Sequence, residues 1–218
     1  MVLKFYGHPN TTCSRRVATI LYEMRIPYEF YFVDIAKGEQ KTPEHLEKHP
    51  FGLVPFIDDD GFILYESRAI CRYLAIKYAN QGPKLIPDAS DLKATALFEQ
   101  AASSEIYNFD FFSFKAVYEN VLKKLHGHAP DTKAFNEAIE TLDAKLKAYD
   151  AILGKQKYLA GDDLTVIDLF HLPNGALLSD AGSNIMSQRL NVTRWWNDIS
   201  SRPSWTAVAQ GIPPEPTF

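Results

Sequence analysis

The spacing of apolar positions changes partway along the chain. Up to Tyr78, short apolar runs alternate with polar turns. Val2 to Tyr6 reads as a strand that Gly7-His8-Pro9 stops. Arg15 to Met24 carries apolar residues at Val17, Ile20, Leu21 and Met24, the stripe of an amphipathic helix. Pro27 ends that helix, and Tyr28-Glu29-Phe30-Tyr31-Phe32-Val33 alternates as a second strand. A polar loop, Lys37 to Pro43, leads into a short helical piece from Glu44 to Lys48. Two β-favouring runs, Leu53-Val54-Pro55-Phe56-Ile57 and Phe62-Ile63-Leu64-Tyr65, then flank Asp58-Asp59-Asp60-Gly61, and an Asp-Gly pair in that setting predicts a hairpin. Pro55 has no amide hydrogen to give a ladder, so it belongs at an edge, a start or a bend. Glu66-Ser67-Arg68 runs without a breaker into Ala69 to Ala75, which has helical spacing and puts Ser67 at a helix N-terminus.

Beyond Tyr78 the pattern is different. Ala79 to Asp88 holds two prolines, a glycine and few apolar residues, the composition of a linker. Helical spacing dominates from Leu92 on, with breakers at Gly127 to Pro130, Gly154, Gly161 and Pro173. Thr165-Val166-Ile167-Asp168 fits a capping box in which the aspartate takes the usual glutamate role. The expected division is an α/β domain over residues 1–82, a linker over 83–90 and an all-helical domain over 91–218. Four phenylalanines, Phe109, Phe111, Phe112 and Phe114, fall within six residues and cover too many helix faces for one core to bury all of them.

Composition narrows the function classes. The net charge is −4 and the lysines and arginines are dispersed, which argues against a nucleic-acid footprint and a membrane-surface patch. No stretch approaches the roughly 18 apolar residues of a membrane span. The start, Met1 to Pro9, lacks the charged-then-apolar pattern of a signal peptide. Cys13 and Cys71 stand far apart in neither a CxxC nor a zinc spacing, so a reducing, cytoplasmic setting is expected without a disulfide framework. The histidines show no metal-ligand spacing, and no metal is expected.

Candidate chemistry gathers in the first half. A helix N-terminus at Ser67 offers free amides, a dipole and a small hydroxyl to a carboxylate, and the backbone before Pro55 offers an open edge. Together they read as a clamp for a small peptide-like anion. Val54-Pro55 and Glu66-Ser67, in this order around a hairpin and within the run Phe51-Gly52-Leu53-Val54-Pro55-Phe56, resemble the glutathione transferase family, most closely its phi class. The resemblance implies a thioredoxin-like βαβ-ββα domain followed by a helical domain, a cytosolic homodimer, glutathione as co-substrate and small hydrophobic electrophiles as partners.

It also implies residue roles. Thr11 stands four residues after Gly7, where the phi pattern has a serine that stabilises the thiolate, and Arg16-Val17 keep the register. Thr12 and Ser14 are the neighbouring alternatives. Gln40 and Lys41 would reach the glycyl carboxylate, and Leu53, Val54, Pro55, Glu66 and Ser67 would hold the tripeptide. Leu53 stands where a glutamine is common, leaving the backbone of Val54 to pair. Phe51 resembles the aromatic that plugs into a partner subunit, with an ordinary core phenylalanine as the competing reading. Phe111, Phe114 and Tyr118 would line the electrophile pocket. The expected activity is conjugation, with peroxide reduction beside it. Two other readings stay open: a non-catalytic carrier of hydrophobic compounds, and a thiol-transferase working through Cys13, a cysteine at a helix start.

Overall fold

In the computed structural model, which describes residues 2–216, the first apolar run forms β1 (Leu3–Gly7), with Leu3, Phe5 and Gly7 turned inward. β1 lies at the centre of a four-stranded sheet. It pairs in parallel with β2 (Tyr28–Phe32), Gly7 beside Phe32, and antiparallel with β3 (Phe56–Asp59), Tyr6 beside Phe56. β4 (Phe62–Tyr65) completes the order β2-β1-β3-β4. The β3–β4 turn is Asp60-Gly61, with φ of 57° and 87°, the left-handed pair that suits a two-residue hairpin. The Gly61 amide donates to Asp58 Oδ1 at 2.8 Å.

One predicted boundary moves. The apolar run from Leu53 suggests a strand, yet β3 begins at Phe56. The Leu53 carbonyl is taken by the His45 ring, 2.8 Å away, and Pro55 has no amide hydrogen, so the ladder starts after them. The bond between Val54 and Pro55 is cis.

α1 (Thr12–Glu23) starts before the Arg15 that the apolar stripe suggests. Thr11 is its cap, extended at φ −78° and ψ 141°, its hydroxyl accepting from the Ser14 amide at 3.4 Å. A 3₁₀ turn at Glu39–Lys41 occupies the polar loop, and α2 (Pro43–Lys48) follows, capped by Thr42. α3 (Ser67–Lys77) packs on α1. The chain divides into two compact units, residues 1–86 with the segment from Arg202, and Pro87–Ser201. In the first, a short helix, Pro203–Thr206, lies on α1, with Trp205, Val208 and Ile212 buried. Glu23, at the end of α1, accepts from Arg202 and Ser204, and the Arg15 guanidinium donates to the Ala209 carbonyl at 2.6 Å.

The second unit is all helical. α4 (Leu92–Ser104) widens into a π-helical turn at Glu105–Asp110, continues as α5 (Phe111–Val117), widens again at Tyr118–Leu122 and ends in α6 (Lys123–Leu125). α7 (Thr132–Leu153) buries Ala138, Leu142, Leu146, Tyr149 and Leu153, spaced three and four apart as a helix facing a core requires. α8 (Val166–Phe170), α9 (Leu172–Asp180) and α10 (Leu190–Ser200) complete it. Pro173, expected to act as a breaker, sits in the first turn of α9, where a missing amide hydrogen costs nothing. Among the described residues no helix is long and apolar enough to cross a membrane.

The capping box at Thr165 to Asp168 is present. Asp168 is fully buried and accepts from the Leu159 amide, the Thr165 amide and hydroxyl, and Trp195 Nε1, each at 3.0 Å. Burial pushes its carboxyl upward while the donors around it pull it back. Asp168→Ala leaves those buried donors without an acceptor and is expected to remove about 3 kcal/mol of stability. A urea midpoint lowered at unchanged slope would register it, and an unmoved midpoint would mean the donors find other acceptors.

Candidate active site

Strand order dictates where the chemistry can gather. Gly7, at the exit of β1, stands beside Phe32, at the exit of β2, while Tyr6 stands opposite Phe56, at the entry of β3. Phe56 also faces Tyr65, the exit of β4. Thus the segments holding Thr11, Gln40 and Lys41, Leu53 to Pro55, and Glu66 and Ser67 all leave the sheet at one end. α1 and α3 start directly after β1 and β4, so their N-termini belong to that same end. First-turn amides without helical partners and the positive ends of two dipoles favour an anion there.

Thr11, the residue expected to stabilise a thiolate, stands at the N-terminus of α1. It is half-buried, and its Oγ lies 2.8 Å from Ser14 Oγ and 3.1 Å from the His8 carbonyl. When Ser14 donates to Thr11, the Thr11 proton rests on the His8 carbonyl and can turn from it toward a ligand. Ser14 itself is fully buried and supports Thr11 from behind. Gly7 makes room for it, since a Cβ there would stand 2.8 Å from Ser14 Oγ. Thr12 and Cys13 are half-buried beside it.

The other predicted residues divide by how they are held. Ser67 is buried, and its hydroxyl accepts from the buried Arg16 guanidinium at 3.0 Å, which leaves its proton to donate. Glu66 is exposed at φ 70°, a left-handed conformation that a non-glycine residue adopts only at some cost. Lys41 Nζ donates to the Phe51 carbonyl at 3.1 Å. Gln40 Nε2 reaches the Ile35 carbonyl at 3.4 Å, while its Oε1 is buried without a partner. Neither backbone group of Val54 is paired within the described chain, because β3 starts two residues later. Among the described residues no group of three metal-ligating side chains gathers.

Phe51 is 64% exposed, which removes the core reading for it. In the helical unit Phe109 is fully buried, whereas Phe111, Phe114 and Tyr118 are exposed. A cavity of about 370 Å³ in that unit is lined by Ala101, Ser104, Tyr107, Tyr149, Ile152 and Leu159 among others, and those three aromatics are not part of its wall.

Sequence reasoning passed over Arg16 as a bridge from α1 to α3, and His45, whose ring reaches Leu53. Neither has a local signal, because each partner lies on another segment.

The cysteines differ sharply. Cys71 is fully buried, and burial pushes its thiol up to about 12. In the native protein one thiol, Cys13, is expected to react with an aromatic disulfide reagent, with Cys71 following only on unfolding. Two fast thiols would show that the α1–α3 core opens.

Residues 1–76 match the family model described as Glutathione S-transferase, N-terminal domain, and residues 110–203 the one described as Glutathione S-transferase, C-terminal domain. Glutathione S-transferase hmp2 of Hypomyces subiculosus is 45% identical over 207 residues, covering 94% of this chain and 96% of the relative. Glutathione S-transferase PM239X14 of Arabidopsis thaliana is 42% identical over 198 residues, 90% of either chain. Glutathione transferase F7 from Populus trichocarpa superposes with a TM-score of 0.91 at 38% identity, over 97% of this chain and 100% of its own. Glutathione S-transferase I from Mais, in complex with an atrazine glutathione conjugate, does so with a TM-score of 0.88 at 31% identity, over 96% and 97%. Matches of that length on both halves, to sequences and to folds alike, mean that this chain belongs to the glutathione S-transferase family and is phi-class-like.

Proposed function

We propose that this chain, a glutathione transferase by family, joins the sulfur of glutathione to an electrophilic carbon of hydrophobic compounds in the cytoplasm. The thiol loses its proton to solvent, the sulfur forms the new bond to carbon, and a leaving group departs with its electron pair. The observation that carries this reading is the open backbone of Val54, at the end of the sheet where two helix N-termini begin. An unpaired N–H and C=O on one residue are what a short peptide needs, and the first turns beside them suit its negative groups.

Each residue then has a task. The Thr11 hydroxyl donates to the sulfur and stabilises its charged form, lowering the thiol pKa. Leu53, Val54 and Pro55 present backbone to the middle of the tripeptide. Ser67 meets the carboxylate of the γ-glutamyl end and Glu66 its ammonium, while Gln40 and Lys41 serve the glycyl carboxylate. Phe111, Phe114 and Tyr118 supply exposed apolar rings for the electrophile. The same ionised sulfur would also reduce peroxides.

The exposed Phe51 is assigned to a homodimer contact. A ring that far out of its own unit gains by entering an apolar recess on a second copy, and the cavity beside Tyr107 and Tyr149 is a recess of suitable size. Phe51→Ala is expected to elute as a smaller species at low micromolar concentration. An unchanged elution volume would remove Phe51 from the dimer contact.

The role of Thr11 is read by titrating the thiolate absorbance near 240 nm of bound glutathione. Wild-type protein should hold the thiol well below its free pKa. Thr11→Ala should restore an ordinary thiol and lower turnover by roughly a hundredfold, and Thr11→Ser should keep both near wild type. Cys13→Ser should leave turnover unchanged, and a reversal of the two results would transfer the chemistry to Cys13. Glutathione bound but not ionised in wild type would point to a carrier.

A further inference from the structure

We propose that His45 is a positioning residue for glutathione binding, which sets the plane of the Leu53–Val54 peptide from behind and so aims the Val54 amide at the tripeptide. The inference rests on the clamp assigned under the proposed function. His45 lies on α2, is 8% exposed, and places Nε2 2.8 Å from the Leu53 carbonyl oxygen. That oxygen can only accept, so Nε2 carries the hydrogen.

A trans peptide is planar, with its C=O and N–H on opposite sides. Among the described residues the cis bond is Val54–Pro55, so Leu53–Val54 is trans. Anchoring the Leu53 oxygen on His45 therefore turns the Val54 N–H the other way, off the body of the loop. Among the described residues that N–H has no backbone partner.

The imidazole is itself well held. It stands edge-on to Phe56, with ring centres 5.1 Å apart, and runs nearly parallel to the His49 ring at 6.2 Å. Thr42 Oγ accepts from the His45 amide at 3.4 Å, which fixes the start of α2.

A second grip reinforces the first. Lys41 holds the Phe51 carbonyl, and Gly52 between the two gripped carbonyls sits at φ 60°, where a Cβ would be 2.8 Å from Lys41 Cδ. The loop is thus fastened on either side of Gly52 by its inward carbonyls. Position 53 is a leucine and offers no side-chain donor to compensate a turned plane. The cysteine of glutathione is its only residue with an amide N–H and an amide C=O of its own. That residue also carries the sulfur, so the tilt of one peptide plane governs how the reacting residue is held.

The test uses the full chain and steady-state kinetics. His45→Leu is expected to raise KM for glutathione about tenfold, the worth of one well-placed hydrogen bond. Turnover at saturating glutathione, and the thiol pKa read near 240 nm, should stay at wild-type values. His45→Gln, whose Nε2 can reach the same carbonyl, should bring KM back to within about twofold of wild type. If His45→Leu does not fold, His45→Asn, whose amide stops short of Leu53, carries the same comparison. An unchanged KM, an equal loss in the leucine and glutamine variants, or a thiol pKa that moves with KM would each overturn the proposal. Wild-type protein that fails to bind glutathione would instead overturn the clamp itself, and the two failures are told apart by that one control.

Discussion

A buried guanidinium holds the ligand end of the first unit together. Arg16 is 2% exposed and bonds to Ser67, joining the second turn of α1 to the first residue of α3. Burying a cation costs several kcal/mol unless polar partners surround it, and losing one partner is correspondingly expensive. The two helix N-termini are therefore tied side by side by a group that the fold cannot cheaply release. The same cation sits beneath a region whose free amides already favour negative charge. The chain's net charge is −4, so whatever draws an anion to this end comes from these local groups and not from the sum over the surface.

How much of this was legible in the sequence depended on range. The Asp60-Gly61 hairpin, the Thr165–Asp168 box and the helix start at Ser67 were readable, since each is decided by residues within a few positions of one another. The strand start was misread at Leu53, because the competitor for its carbonyl is His45, on another element. Thr11, Val54, Glu66 and Ser67 do come to one end of the sheet, but what holds them there, Arg16 and Ser14, was visible only once the segments were folded together. The packing of the segment from Arg202 on α1 had no local sign at all, as Glu23 reads as one more surface charge until Arg202 and Ser204 reach it.

The aromatic stretch shows a different limit. A wheel drawn with 3.6 residues per turn cannot foresee the π-helical turn at Glu105–Asp110, which admits an extra residue and rotates the next helical segment by roughly 100°. Phe109 consequently packs inside against His171, with ring centres 4.6 Å apart, while Phe111, Phe114 and Tyr118 are left on the outside. Crowding predicted that some rings must be exposed, and the widened turn decided which.

The first unit is discontinuous: its sheet and helices end by Ile86, yet its covering segment starts at Arg202. On a ribosome the whole of Pro87–Ser201 is made in between. Until then α1 lacks the cover of Trp205 and Val208, and the loop that presents Thr11 lacks the brace from Arg15 to the Ala209 carbonyl. The continuous helical stretch can reach its final form during synthesis, whereas the first unit waits for the segment that starts at Arg202. A nascent chain stalled just short of Arg202 would carry the whole sheet with Thr11, Val54 and Ser67 and still leave one side of α1 bare.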